Sequence, residues 1–331
     1  MAEWFYSLYL KAQGNMQRSG EGHPVTVISA KDDTALRPVI AVPVHRQSPT
    51  PEEVISLRQL NRVMGRREIA LITPHGNDIS AYRDILPTAR LLRVEPRWME
   101  SHASYSRMII SPLLPDAFRG YTHMLLHEPD SIVLKDALDD WCDRPYDYLG
   151  APWFAPRPNS QEVQMIPGGN SGLSLFRLSA VRRVHTSWKR WHPLRYALSD
   201  LLRGFRGDKE MLKRGLLGLY PGGLLRGAHH LYPSLCDRFW SLLVPSLDPR
   251  FRVAPPSEAV GFSWEKWSFL CMERCRGHLP LGVHAWAKYD FDFLEPHFVA
   301  AGVDLSGMPL WVPPEWRRDW KPPMWPVGHF S

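Results

Sequence analysis

The segment from His123 to Leu134 constrains this chain more than any other. An apolar run, Met124-Leu125-Leu126, passes into His127-Glu128-Pro129-Asp130-Ser131 and then into a second apolar run, Ile132-Val133-Leu134. Proline fixes its own φ and biases Glu128 towards extended geometry, so strand pairing breaks here. A strand from a sheet interior would then end by holding two carboxylates at the sheet's carboxyl edge, where open α/β sheets bind ligands. Two hard oxygen ligands at that edge suit a divalent cation held against a diphosphate. A turn with two solvated acids fits the same residues, so the stretch alone leaves both readings open.

What precedes it favours the sheet. Val39 to Val44 is a short continuous apolar run and reads as a strand, with His45 to Thr50 as the loop at its carboxyl end. Thr50, Pro51, Glu52 and Glu53 then open a helix to about Met64: a capping hydroxyl, a proline in the first turn and acids at the positive end of the dipole. Glu68 to Thr73 is a second strand, Ile79 to Leu86 a helix or turn, Ala89 to Val94 a third strand, and Trp98 to Ile110 a helix. Strands alternating with helices predict a parallel sheet with helical crossovers. Tyr121 to Leu126 is the strand that delivers Glu128 and Asp130. His45 and Arg46, following Val44, sit where a nucleotide base docks on such a sheet.

Beyond the acids, Leu138 to Trp141 reads as the end of a helix. Tyr146 to Trp153 reads as a strand running into a kinked loop, and Phe154 to Ile166 as a flexible crossing. Gly168-Gly169-Asn170-Ser171-Gly172 permits positive φ and close backbone approach, as a tight turn or a ligand cradle, before a short strand and a Ser179 to Trp188 helix. Residues 189 to 231 are basic and glycine-rich and read as a solvated insertion. A helix from Leu235 to about Val244, a strand Phe251 to Ala254, a turn or helix Ser257 to Phe262 and an apolar loop Gly282 to Trp286 follow. The ends, 1–35 and 301–331, read as a loosely docked leader and a Pro/Trp-rich strap around a domain at 36–300.

Composition excludes several classes. The net charge of +6 fits an anionic ligand or membrane surface, but the Arg pairs are short and scattered, against a nucleic-acid binder. Cys142, Cys236, Cys271 and Cys275 form no CxxC pair and fit free thiols of a reducing compartment. No signal peptide is legible, and no apolar run approaches the ~20 residues of a membrane-spanning helix. A cytoplasmic location follows as an expectation, with room for peripheral contact at the inner face of the membrane.

Several blocks in order then resemble a known group: Ile40 to Val44 with Ile55 to Leu60, Tyr105-Ser106-Arg107 with Ser111-Pro112, and Asp130-Ser131. Tyr146-Asp147-Tyr148-Leu149-Gly150-Ala151-Pro152-Trp153, Gly169 to Leu175 and Gly282 to Trp286 complete the set. Over about residues 38 to 298 the chain resembles a bacterial domain family of unassigned function grouped with the GT-A fold glycosyltransferases. That resemblance implies an α/β, Rossmann-like mixed sheet flanked by helices, and transfer of a sugar from a nucleotide-diphosphate donor to a glycan or lipid-linked acceptor in surface polysaccharide synthesis. The metal, Mn²⁺ or Mg²⁺, would lie on Asp130 and Glu128, which match a DxD-type motif with Glu in its first position, and on His284, which matches a late histidine. Asp237 matches a catalytic base, with Cys236 where the family pattern has a second acid. Val44, His45, Arg46, Tyr105, Arg107 and Glu128 are the expected donor-binding residues. Trp153, Gly169, Asn170, Ser171, Gly172 and Trp286 are the expected acceptor- or sugar-binding residues. For each there is a plainer role: Asp237 as a helix-start residue, His284 as a core histidine, the tryptophans as core. A nucleotidyltransferase or sugar-nucleotide-modifying enzyme, and a non-catalytic sugar-binding scaffold, are the alternatives on the same architecture.

Overall fold

A computed structural model describes residues 36–157, 162–207, 212, 215–216 and 235–308; the leader at 1–35 and the strap beyond 308 lie outside the described residues. The α/β architecture expected, a mixed sheet flanked by helices, is the one the chain adopts. Four parallel strands form its first half: β1 Pro38–Pro43, β2 Ile69–Pro74, β3 Arg90–Val94 and β4 His123–His127. β1 lies between β2 and β4, and β3 pairs outside β2. Both faces of β1, β2 and β4 are covered, which is why they read as continuous apolar runs, whereas β3 at the edge is largely open to solvent.

The crossover α1, Pro51–Met64, carries its predicted cap in full: the Thr50 side chain accepts from Glu53 N–H and the Glu53 carboxylate accepts from Thr50 N–H. Ser80–Ile85 is α2. The helix expected from Trp98 begins at α3, His102–Ile110, because Ser101 caps it by accepting from Ser104 N–H; Pro96–Trp98 is a separate 3₁₀ turn. α4 (Leu113–Ala117) leads to β4, and α5 (Leu138–Cys142) is a whole short helix rather than the end of one.

The second half departs further from the sequence reading. β6, Tyr148–Pro156, and β7, Val163–Arg177, form a long antiparallel hairpin where a kinked loop and a flexible crossing are expected. β6 is the outer strand of the order β3-β2-β1-β4-β7-β6, and an edge tolerates Pro152 and Pro156, which lack a donor. The glycine run is likewise strand, not turn. It lies in β7 where register shifts bulge the pairing with β6, and Gly168 takes φ +122°. A Cβ there would come within 2.3 Å of the Trp153 ring.

β7 runs antiparallel to β4, so it ends at Arg177 beside His123, at the amino edge of the sheet. From there α6, Leu178–Gly204, continues well past Trp188 and takes up the start of the expected insertion; most of the insertion's remainder lies outside the described residues. The chain re-enters at α7, Cys236–Arg238, which passes through a π-helical turn at Phe239–Leu243 into α8, Val244–Leu247. Phe251 to Ala254 contributes a single bridge, Val253 to Tyr148, instead of a strand.

A second, three-stranded sheet is absent from the sequence reading. β5 (Ile132–Val133), β8 (Ser263–Trp264) and β9 (Gly282–Val283) form it in the order β5-β9-β8, so Gly282–Val283 is strand and not loop. The helix α9 (Pro256–Phe262) packs on the large sheet through Ala259 and Phe262 and on this half through Val260, and α10 (Ser268–Arg274) and α11 (Phe291–Ala300) belong to this half. Ile132, Val283, Trp264, Trp286, Leu294 and Phe298 form its own buried cluster. Two-residue ladders contribute few hydrogen bonds, so this sheet stands on that cluster.

Candidate metal centre and surrounding cleft

β4 ends at the carboxyl edge, and the chain turns there through Glu128-Pro129-Asp130, closed by Ser131 N–H donating to Glu128 O at 2.8 Å. β7 fixes the turn from the other side. Gly172 O accepts from Glu128 N–H at 2.8 Å and from the Ser131 hydroxyl at 3.0 Å. Gly172 N–H in turn donates to Asn170 Oδ1 at 2.7 Å. Both carboxylates thus leave a backbone held on two sides.

The second sheet brings the third group. His284 follows β9, and its N–H donates to Trp264 O at 2.8 Å. Its Nε2 lies 3.4 Å from Asp130 Oδ1 and 3.5 Å from Glu128 Oε2. One ligand atom from each of Glu128, Asp130 and His284 lies within 4.8 Å of the others. The imidazole rests against Gly172, where a Cβ would meet its Cδ2 and Nε2 at 2.2 Å. Only glycine leaves room for this histidine.

Charge follows from that packing. Burial opposes protonation of His284, but the two carboxylates outweigh it and hold its pKa well above the ordinary value. Partial burial pushes Asp130 up, and the imidazole outweighs this and holds its carboxyl below the usual range. Asp130 is half exposed and Glu128 a quarter exposed, so the group opens to solvent on the carboxylate side. Two carboxylates with one imidazole suit a hard to borderline divalent ion, Mn²⁺ more naturally than Mg²⁺ because of the nitrogen ligand.

Glu265 is a residue that sequence reasoning misses. Its Oε1 faces His284 Nδ1 at 3.7 Å, on the side away from Asp130, and burial raises its pKa. A lone acid between Trp264 and Lys266 carries no motif; only the pairing of β8 with β9 places it behind the histidine.

On the other side of Glu128 lies a buried polar cluster. Ser171 Oγ lies 3.3 Å from Cys236 Sγ, and burial pushes that thiol up to about 12. Asp237 sits at the start of α7, as expected, with Oδ1 accepting from Arg238 N–H at 2.7 Å. Burial raises its pKa, which makes it a stronger base than a free aspartate. The buried Tyr105 hydroxyl faces Glu128 and Cys236.

The remaining expected site residues divide. Val44, His45 and Arg46 lie at the carboxyl end of β1 on the same edge; Val44 is buried, and Arg46 is exposed and 3.7 Å from Glu53. Arg107 Nε donates to Ala103 O at 3.4 Å along its own helix. Trp153 is half-buried against Gly168. Gly169 serves the hairpin, its carbonyl accepting from the Tyr148 hydroxyl at 2.9 Å. Trp286 is corrected: it is fully buried, donates Nε1–H to Ser56 Oγ at 2.7 Å and packs on Phe291 and Phe298, so no ring face is open to a sugar. No described helix is long and apolar enough to cross a membrane.

Residues 88–284 match a family described as "Protein of unknown function (DUF5672)", over more than half of the chain, and the chain belongs to that family. No curated protein matches it. Among solved structures, the galactosyltransferase LgtC in complex with donor and acceptor sugar analogues is similar at 13% identity and a TM-score of 0.42, over 84% of this chain and 99% of that one. Mouse xyloside xylosyltransferase 1 in its apo form is similar at 10% identity and 0.41, over 75% and 97%. At these values the chemistry has to be argued from the site.

Proposed function

We propose that this DUF5672 member is a metal-dependent glycosyltransferase, moving a sugar from a nucleotide-diphosphate donor to a glycan or lipid-linked acceptor in surface polysaccharide synthesis. The observation that carries the reading is the convergence of Glu128, Asp130 and His284 at the carboxyl edge of the sheet. These three would hold Mn²⁺ or Mg²⁺, which when bound neutralises the charge growing on a leaving diphosphate.

The protein's own groups supply the rest. Val44, His45 and Arg46 flank the nucleotide, with Tyr105 and Arg107 on the α3 side. Asn170, Ser171 and Gly172 line the approach of the sugar, and Trp153 offers an apolar face. Asp237 takes the proton of the acceptor hydroxyl on Oδ2, since Oδ1 is engaged by Arg238 N–H. The bond between the anomeric carbon and the diphosphate oxygen breaks as that hydroxyl oxygen bonds to the same carbon. Glu265, behind His284, keeps the imidazole turned to the carboxylates.

A screen of nucleotide sugars with and without Mn²⁺ tests the reading. Metal-dependent release of a nucleoside diphosphate, lost in Asp130→Ala and reduced ~10²-fold or more in Asp237→Asn, is expected. Release of pyrophosphate instead would assign nucleotidyl transfer. A folded chain that neither binds UDP or GDP nor responds to metal would leave a scaffold role.

A further inference from the structure

The basic stretch at 189–231 reads from sequence as solvated surface, yet, Arg206 apart, the side chains of its described part that face out are apolar. Leu198, Leu202 and Phe205 are 48%, 66% and 78% exposed, and Leu216 is 58% exposed. The first three are spaced i, i+4 and i+7, on one face of the end of α6, while Ala197 and Asp200 on the other side are buried. These four are the majority of the seven large apolar side chains exposed among the described residues. Single exposed hydrophobes need no explanation; a cluster at helical spacing does.

Charge says what covers it. From 189 to 231 the sequence has nine Lys or Arg and three acids, an excess equal to the chain's whole formal charge of +6. A second copy would bring the same net-positive stretch against this one and be repelled, and the rest of the chain, with no net charge, offers nothing to neutralise it. A partner of opposite charge with an apolar interior fits both features, and an anionic bilayer is that partner.

We infer that the outer face of α6 at its carboxyl end, with Phe205 and Leu216, docks on an anionic lipid surface. Apolar side chains enter the headgroup boundary, and Arg206, exposed beside Phe205, meets lipid phosphate. Topology gives the docking a consequence. Leu178 N–H donates to Thr122 O at the amino edge of the sheet, and the chain has returned to the carboxyl edge by Cys236, beside Ser171. A helix of 27 residues, roughly 40 Å long, is long enough to carry its exposed end from the amino edge past the full length of β4. The docking does not depend on glycosyl transfer. If that reading holds, docking brings the enzyme to the surface that carries a lipid-linked acceptor.

Co-sedimentation of the full chain with vesicles of phosphatidylcholine alone, or with 30% phosphatidylglycerol, tests it. Binding to the anionic vesicles only, weakened severalfold by 0.5 M NaCl, is expected. The double variant Leu202→Ser/Phe205→Ser is expected to lose at least fivefold in bound fraction with an unchanged melting temperature. Val299→Ser, an equally exposed apolar residue on α11, should bind as the parent does. No sedimentation with anionic vesicles, equal loss in Val299→Ser, or a dimer in light scattering that Leu202→Ser/Phe205→Ser dissolves would each overturn the proposal.

Discussion

In the first half of the large sheet, β1 pairs with β2 and β4 in parallel, each over four residue pairs, and helices close every crossover. In the second sheet, the strands have only two residues each, and Ile132 pairs with Val283 from a distant part of the chain while Ser263 pairs with Gly282. Glu128 and Asp130 belong to the first region and His284 to the second, so the metal group sits on the seam between them. A locally built half can be stable without the seam being formed. The satellite half has little besides its cluster to hold it, and its register sets where His284 points.

The comparison can be broken most directly by large-to-small changes on its two sides. Trp264→Ala is expected to cost about 3–5 kcal/mol and to abolish the Mn²⁺-dependent thermal shift, because the Trp264 ring fills the satellite cluster that holds β8 and β9, and with them His284, in place. Leu57→Ala, buried on α1, is expected to cost about 2–5 kcal/mol and to leave the shift in place. Denaturation with and without Mn²⁺ reads both numbers; equal effects on the shift would erase the distinction between the halves.

A smaller change sits on the seam itself. Gly172→Ala should cost about 1–3 kcal/mol by overpacking, and it pushes the imidazole off the carboxylates. Most of the Mn²⁺ shift should go with it; an unchanged shift would mean His284 is not a ligand.

At the amino edge, far from the seam, His123 is buried with Nε2 unpartnered, and burial pulls its pKa down to about 4. The unfolded chain binds its proton more readily, so the contribution is fully present above about pH 6.5 and is lost as pH falls towards 4, by at most about 3 kcal/mol. Urea unfolding at pH 7 and 5 should show that slope, and His123→Leu should reduce it, leaving the part due to His127, which burial also pulls down to about 4. The smallest effect belongs to the best-predicted element. Thr50→Ala should cost about 1 kcal/mol by chemical denaturation and leave Mn²⁺ binding untouched.

The same division explains what could be read in advance. β1 to β4 and α1 declare themselves locally, through apolar runs, Thr50, Pro51 and the Glu128-Pro129-Asp130 break. Phe154 to Ile166 does not, since Pro152 and Pro156 argue against a strand until the strand is known to lie at an edge. The glycines at 168–172 resemble a turn, because the reasons for them, Trp153 and His284, arrive from elsewhere in the fold. Trp286 and Trp153 are indistinguishable as residue types; burial separates them. Glu265 is illegible because only the β8–β9 register gives it a neighbour.

The central claim is that the seam holds one divalent cation, and titration of Mn²⁺ into the metal-free chain, followed by loss of the free-ion EPR signal, tests it most directly. One ion per chain is predicted, with affinity reduced at least tenfold in both Asp130→Ala and His284→Ala, which come from opposite sides of the seam. Binding that survives unchanged in either folded variant would contradict it.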